Sequence, residues 1–376
     1  MGKNTSCGDE EMAEDVFNIG IDEIDTPALI IDLDVMERNI SKMARFFERS
    51  DVSLRPHSKT HKIPIIAHKQ IAAGAKGICC QKLGEAEVMA AAGIRNILIT
   101  NQVVGPRKVW RLTNLSKHCN VITALESLEN AREISRSAQK RETKVDVVVE
   151  VDVGIERCGV KPGEPVLKFV QEILRLPSLR FRGLMGYEGP FFKITDWEKR
   201  KKAAEERLKL LVETSELLRD SGIEYDIVSA GATGTYNITG VYPGITEVEA
   251  GSYIFMDTYY RRLEKVGFEL ALSLLTTVIS RPTKDRIIVD AGLKAITSEF
   301  GNPEVKEIKG VELHSLSEEH GILRSTNPEE KLKVGDKIEL YPSHCCTTVN
   351  LHDLVYGVRK GELESIWRIE GRGKFT

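Results

Sequence analysis

The sequence predicts an α/β chain: a parallel (β/α)8 barrel of the TIM type followed by a smaller all-β domain. Three observations predict it. Short apolar, β-branched runs alternate with longer segments of helical period over roughly 230 residues, which suits a closed parallel barrel. After about Leu272 the helical segments give way to short strands separated by turn signals. No G-x-G-x-x-G follows the first strand, where Asp32-Leu33-Asp34-Val35 stands, so an open doubly wound sheet lacks its usual signature.

Each element rests on its own pattern. The expected barrel strands are Ala28–Leu33, Ser53–Ser58, Gly77–Gln81, Ile97–Thr100, Val121–Leu125, Val145–Val153, Phe181–Gly186, Ile227–Ser229 and a piece near Glu247–Ile254. Amphipathic helices are expected at Val35–Arg49, Leu83–Ala92, Leu125–Gln139, Pro165–Arg175 and Trp197–Ser221, the last closed by Gly222 as a C-cap. The later strands are Thr276–Arg281, Arg286–Asp290, Gly310–Leu313, Gly321–Leu323, Lys337–Leu340, Asp353–Arg359 and Glu362–Arg368. The expected division is residues 1–24 as a tail whose Phe17–Ile24 adds a strand to the β domain, 25–272 as barrel, and 273–376 as the β domain.

Composition narrows the function classes. The 376 residues are 41% hydrophobic, enough for a large core, and the net charge of −3 comes from 53 basic and 56 acidic residues without like-charged blocks. This argues against nucleic acid or an anionic membrane as partner. The polar, acidic start from Met1 to Asp15 lacks the features of an export signal, and no run of about 18 apolar residues occurs, so a cytoplasmic protein is expected. Seven cysteines in so long a chain do not make a disulfide framework; Cys7 falls in the tail, and Cys79 and Cys80 read as buried small hydrophobes.

Four clusters carry possible chemistry. Arg55-Pro-His-Ser-Lys59-Thr-His-Lys62 closes what reads as the second barrel strand, and barrel active sites lie at the C-terminal strand ends. A lysine there, crowded by Arg55, His57 and His61, is an amine nucleophile in the making; an exposed basic turn is the plain alternative. Glu150-Val-Asp-Val-Gly-Ile-Glu-Arg157-Cys-Gly159 ends another strand and offers a cation at the barrel mouth, or simply a surface arginine. Ser229-Ala-Gly-Ala-Thr233-Gly234-Thr-Tyr236 and Glu249-Ala-Gly251-Ser252-Tyr253 are small-residue turns after late strands, suited either to phosphate or to tight turning alone. In Ser343-His344-Cys345-Cys346, an extended chain would put His344 and Cys346 on one side and turn Cys345 away. Imidazole with thiolate suits zinc better than magnesium or calcium, and two protein ligands leave the open positions of a catalytic metal; a structural histidine beside buried thiols is the alternative.

Taken together these pieces resemble the fold-type III pyridoxal-phosphate enzymes of the D-threonine aldolase and D-serine dehydratase group, related to alanine racemase. The resemblance runs from Asp25-Thr-Pro-Ala-Leu29 to the closing β domain. Its most specific signatures are the Arg55–Lys62 segment and Pro342-Ser-His344-Cys-Cys346-Thr-Thr-Val-Asn-Leu-His-Asp353, supported by Lys82–Glu87, Gly186-Tyr187-Glu-Gly189 and Asp290–Lys294. The resemblance implies that Lys59 carries pyridoxal 5'-phosphate as a Schiff base and later acts as a general base. It implies that Arg157 meets the phenolic oxygen, that Tyr187 and Gln81 lie against ring and substrate, and that Thr233, Gly234, Gly251, Ser252 and Tyr253 surround the phosphate. It further implies a divalent metal (zinc, with manganese or magnesium as alternatives) at His344 and Cys346, a homodimer, and a small D-β-hydroxy amino acid as substrate.

The expected activity is therefore a lyase, with retro-aldol cleavage to glycine and an aldehyde ahead of dehydration of D-serine or D-3-hydroxyaspartate. The Thr348–Asp353 tail resembles the aldolases, which typically carry aspartate where Cys346 stands, while the His-x-Cys pair resembles the dehydratases. An amino-acid racemase would need a second base and no metal, which the His344/Cys346 pair counts against. A non-catalytic pyridoxal-phosphate carrier resembles a barrel alone, and a barrel hydrolase would need more strand-end ligands than His57 and His61.

Overall fold

The computed structural model describes residues 19–189, 191–327 and 329–376. Cys7 and the first two residues, 17 and 18, of the expected Phe17–Ile24 strand lie outside them. The chain divides into two compact units. One comprises residues 19–39 together with Ile254–Arg261 and Phe268–Arg372; the other comprises Ile40–Tyr253, Arg262–Gly267 and Gly373–Thr376.

The second unit is an eight-stranded parallel barrel built from β2 (Ser53–Leu54), β3 (Ile78–Cys80), β4 (Asn96–Ile99), β5 (Asn120–Leu125), β6 (Val145–Glu150), β7 (Leu179–Met185), β8 (Ile227–Ala230) and β9 (Glu247–Val248). Pairing runs β3 through β9 in sequence and then to β2. A parallel bridge between His57 and Cys79, with Lys76 N–H donating to Leu54 O at 2.9 Å, closes β2 onto β3. Strands of such a barrel are buried on both faces, and β6 is buried along its whole length, Asp146 and Glu150 included. Cys79, Leu98, Ile122, Ala124, Val148, Met185 and Ile227 form one interior cluster. Cys79 and Cys80 are indeed buried, and neither is in a disulfide.

The helices follow local signals. Asp196 caps Trp197–Asp220 by accepting from Lys199 N–H at 2.8 Å, and Ser127 does the same for Leu128–Lys140. Gly222 follows that long helix at φ +75°, the left-handed conformation a C-cap requires. Two helices escaped the sequence reading, Pro64–Ala72 and Pro106–Leu115, both opening on the N-terminal proline that marks such starts. Gly183, at φ +142°, sits where β6 and β7 slip register; a Cβ there would stand 1.8 Å from Ile227 O.

The other unit is a nine-stranded, mostly antiparallel sheet. Its main path is β13 (Val311–Leu316), β14 (Gly321–Ser325), β11 (Arg286–Val289), β10 (Leu272–Ser280), β1 (Ala28–Asp32), β16 (Leu354–Arg359) and β17 (Glu362–Arg368). β15 (Lys337–Tyr341) pairs with β10 and with β12 (Glu304–Val305). Two expectations are corrected here. Ala28–Asp32 is not the first barrel strand: it lies antiparallel to β10 and parallel to β16, so Lys59 follows the first barrel strand, not the second. Its apolar run satisfies either sheet, and the choice is made by partners Leu275, Val358 and Leu363, with which Ala28 and Ile30 form a core cluster. The expected strand over Phe17–Ile24 is, in its described part, a single bridge from Gly20 to Glu362 and a 3-10 turn at Ile21–Glu23. Asp290 pins the start of β1 by accepting from Thr26 Oγ1 (2.5 Å) and from Thr276 Oγ1 (2.6 Å).

Candidate active site and metal centre

In the barrel unit, β2 ends in an extended segment whose His57 N–H donates to Ala250 O at 3.2 Å, and Ser58–Thr60 then coils into a 3-10 turn. The turn is anchored by Ser58 Oγ donating to Cys79 O at 3.0 Å, so Ser58 and Thr60 are buried while Lys59 between them is exposed. Lys59 Nζ lies 3.4 Å from Gln81 Oε1. Gln81 is held in turn by Glu85, which accepts from the N–H groups of Gln81 (2.8 Å) and Lys82 (3.3 Å) at the start of the helix Leu83–Ala91, and which pairs with Lys62 at 2.7 Å. Thr100 Oγ1 stands 3.2 Å from His57 Nε2 and 3.5 Å from Gln81 Oε1. Burial, reinforced by the positive charge of Lys59, holds the His57 imidazole far below its ordinary titration range, so it is neutral.

The expected crowding of Lys59 by Arg55 is not what the structure has. Arg55 is 1% exposed, and its guanidinium forks onto Glu247 (2.7 and 2.9 Å) and donates to Asn96 Oδ1 at 2.8 Å. Neighbouring strand residues face opposite ways, and a buried arginine requires a carboxylate that sequence distance concealed.

Arg157 follows β6 on an exposed turn, its Nη2 at 3.7 Å from Glu150 Oε1 and its guanidinium 5.6 Å from the Tyr187 ring centre. Burial raises the Tyr187 hydroxyl above its ordinary pKa. Thr233 and Gly234 lie in the loop after β8, and Gly251, Ser252 and Tyr253 in the loop after β9. The loops meet where Tyr253 N–H donates to Thr233 Oγ1 at 2.9 Å. A Cβ on Gly251 would fall 2.9 Å from His57 Cβ and 2.9 Å from Thr60 Oγ1, so this loop abuts the Lys59 turn. The Tyr253 ring itself turns inward, its hydroxyl accepting from Gln70 Nε2 at 2.8 Å. Among the described residues, the N–H groups of Thr233 and Gly234 make no hydrogen bond, which leaves donors suited to a phosphate.

Two carboxylic acids here were not found from sequence. Glu249 accepts from Ser229 Oγ at 2.7 Å, and burial pushes its carboxyl up to about 7. Glu188, with no exposed surface, accepts from Gly231 N–H (2.8 Å) and from the hydroxyls of Thr235 (2.5 Å) and Thr239 (2.8 Å). The Gly-Tyr-Glu-Gly run was a signal for Tyr187 but carried none for the role of its neighbour.

The β-sheet unit holds the second constellation. His344 is the extended N-cap of a short helix, Cys345–Val349, so Cys345 does not simply face away as an extended chain would have it. Ligand atoms of His344, Cys345 and Cys346 all lie within 4.8 Å of one another, with Cys345 buried and Cys346 half-buried. Asp257, absent from the sequence reading, places its Oδ2 2.9 Å from His344 Nδ1 and accepts from Cys345 N–H at 3.2 Å; its Oδ1 accepts from Tyr260 N–H at 2.8 Å. Burial opposes charge on His344, but the Cys346 thiol and the Asp257 carboxyl outweigh it and raise its pKa to about 10. The Phe300 ring packs against the imidazole, centres 4.8 Å apart. A carboxyl group on one ring nitrogen is the usual outer support of a metal-binding histidine, and thiols stand beside this one, so the donor set fits a borderline-soft divalent ion.

Residues 31–259 match the family described as alanine racemase, N-terminal domain, and residues 271–358 match the putative serine dehydratase domain. The chain belongs to the alanine racemase N-terminal domain family, and carries the dehydratase-type β domain beside it. It is 40% identical over 353 residues to a D-threonine aldolase from an Arthrobacter species, covering 93% of each chain. It is 32% identical to D-threo-3-hydroxyaspartate dehydratase from a Delftia species, covering 86% of this chain and 92% of the relative. The crystal structure of D-threonine aldolase from Filomicrobium marinum superimposes with a TM-score of 0.93 at 38% identity, covering 95% of this chain and 98% of that one. Among the described residues no helix is long and apolar enough to cross a membrane.

Proposed function

We propose that this chain is a pyridoxal-phosphate- and divalent-metal-dependent lyase that cleaves D-β-hydroxy amino acids, D-threonine first among them, into glycine and an aldehyde. The observation that carries the reading is the Asp257–His344–Cys346 donor set, in a chain that also presents the Lys59 amine at the barrel mouth. The cofactor supplies an electron sink for charge developing at the substrate α-carbon, and the metal a Lewis acid for the β-oxygen.

The chain's own residues do the rest. Lys59 Nζ is the covalent anchor and afterwards the carrier of the proton that the α-carbon receives. Gln81, fixed by Glu85, orients Nζ through Oε1. Arg157 and Tyr187 bind the cofactor's phenolic oxygen and ring face, and Thr233, Gly234, Gly251, Ser252 and the backbone of Tyr253 bind its phosphate. His344 and Cys346 would hold the metal, with Asp257 fixing the imidazole through Nδ1. Zinc suits this donor set, and the working protein is a cytoplasmic homodimer in this reading.

Cys346 favours a second reading, in which the β-hydroxyl leaves and the same residues dehydrate D-serine or D-3-hydroxyaspartate. A product assay on purified, cofactor-loaded protein with added divalent metal separates the two. Acetaldehyde and glycine from D-threonine support the aldolase; pyruvate and ammonia from D-serine support the dehydratase. Neither product from either substrate would overturn the reading.

A further inference from the structure

The Glu188 carboxyl group sits at the junction of two loops that the proposed function uses for different ends of one cofactor. It follows Tyr187 directly, on the turn after β7, and it is completely buried. Its three bonds all go to the loop after β8: Oε2 accepts from Gly231 N–H, and Oε1 from the hydroxyls of Thr235 and Thr239. Thr235 Oγ1 in turn accepts from Ala232 N–H at 3.1 Å. The donors of residues 231, 232, 235 and 239 are thereby consumed within the protein. Those of Thr233 and Gly234, at the apex between them, are not. Gly231 turns at φ +93°, where a Cβ would meet Val248 Cγ1 at 2.9 Å, so the start of this loop requires a glycine. Arg207 donates to Glu188 O at 2.7 Å and fixes the turn from its other side.

We propose that Glu188 is a positioning residue for the cofactor's phosphate: it acts through the Gly231–Thr239 loop by holding the N–H groups of Thr233 and Gly234 presented for an anion. A carboxyl group near an anion site is otherwise unfavourable, since like charges repel. Here its use is to draw the flanking donors toward itself, so that the apex alone faces the ligand. The inference rests on the proposed reading that this loop receives the phosphate of pyridoxal phosphate.

The test compares pyridoxal phosphate with pyridoxal, which lacks the phosphate but offers the same aldehyde to Lys59. Affinities of both are read from the visible absorption band in the wild type, Glu188→Gln, Glu188→Ala and Thr239→Val. In Glu188→Ala the affinity for pyridoxal phosphate should fall at least about tenfold, because the loop that presents the Thr233 and Gly234 N–H groups loses its three bonds to the carboxyl group. Affinity for pyridoxal should stay within about twofold in the same variant, as no phosphate contact is at stake. Glu188→Gln keeps an acceptor for Gly231 N–H and should fall between wild type and alanine. Thr239→Val removes a single bond far from the apex and should give the smallest selective loss. It also keeps the test informative if the alanine variant does not fold.

Equal losses for both ligands, or no loss for either, would overturn the role of Glu188. A wild type that binds neither, or that binds both equally well, overturns the phosphate reading itself and the inference with it. The wild-type arm and the variant arms therefore report separately.

Discussion

His344 Nδ1 and Asp257 Oδ2 stand 2.9 Å apart, across 87 residues of sequence, and the aspartate has no exposed side-chain surface. The aspartate also accepts the N–H of Cys345, so one buried carboxyl group sets both the tautomer of the histidine and the start of the short helix that carries Cys346. Replacing it by asparagine keeps the shape and removes the charge. Metal affinity should then fall by about 10- to 100-fold, as for other outer-sphere partners of ligating histidines. Chelator competition measures this directly; an unchanged affinity would mean that Asp257 supports the fold and not the metal. His344→Ala should abolish turnover while leaving the cofactor's absorption band intact.

Lys59 is the only residue between two buried neighbours in its turn that reaches solvent. Lys59→Ala should eliminate the visible absorption band of protein mixed with pyridoxal phosphate, with little change in melting temperature, since an exposed side chain contributes little packing. Persistence of the band in this variant would remove the central assignment.

Gly251 has no space for a methyl group, because His57 Cβ, Thr60 Oγ1 and His57 O already lie within 3.0 Å of where it would stand. Gly251→Ala should push the loop after β9 away from the Lys59 turn at a cost of about 1–3 kcal/mol in unfolding free energy. Cofactor affinity should decline in parallel. Denaturant titration and cofactor titration on the same preparation check both halves, and a neutral substitution would show that the two segments yield easily.

Glu249 gives a pH dependence with a definite sign. Burial raises its carboxyl from the ordinary 4.5 to about 7. Below 4.5 the group is protonated in the folded and the unfolded chain alike and contributes nothing. Between 4.5 and 7 only the unfolded chain releases its proton, so stability falls as pH rises, and above 7 the deficit is constant. Glu249→Gln abolishes this titration. In cofactor-free protein the variant and wild type should melt alike near pH 4, and the variant should melt higher above pH 7. Parallel curves across the whole range would refute the assignment.

Much of this molecule is legible in its residue order, for reasons that differ by element. β6 announces itself because four valines in five residues, Val145 and Val147 to Val149, make a β-branched run that admits few alternatives. Ala28–Asp32 was equally clear as a strand, but the pattern that makes a strand does not name its sheet, and its partners lie more than 240 residues away. The motifs around Lys59 and His344 were readable because their residues are adjacent. Asp257 and Glu188 were not, since each acts through contacts that only the folded chain creates. Arg55 shows the reverse error: adjacency to Lys59 suggested an influence that its fork onto Glu247 redirects.

The placing of β1 between β10 and β16 has a consequence for how this protein comes into being. Once synthesised, β1 has no strand partner until residues 272–275 emerge, and its second neighbour waits for residues 356–358. At about 5–20 residues per second that delay is roughly 10 to 60 s. Throughout it an apolar ribbon with open edges is exposed to the cell while the barrel assembles behind it. Chaperone capture of nascent chains should therefore concentrate on this segment, and slowing translation should lengthen the period of risk.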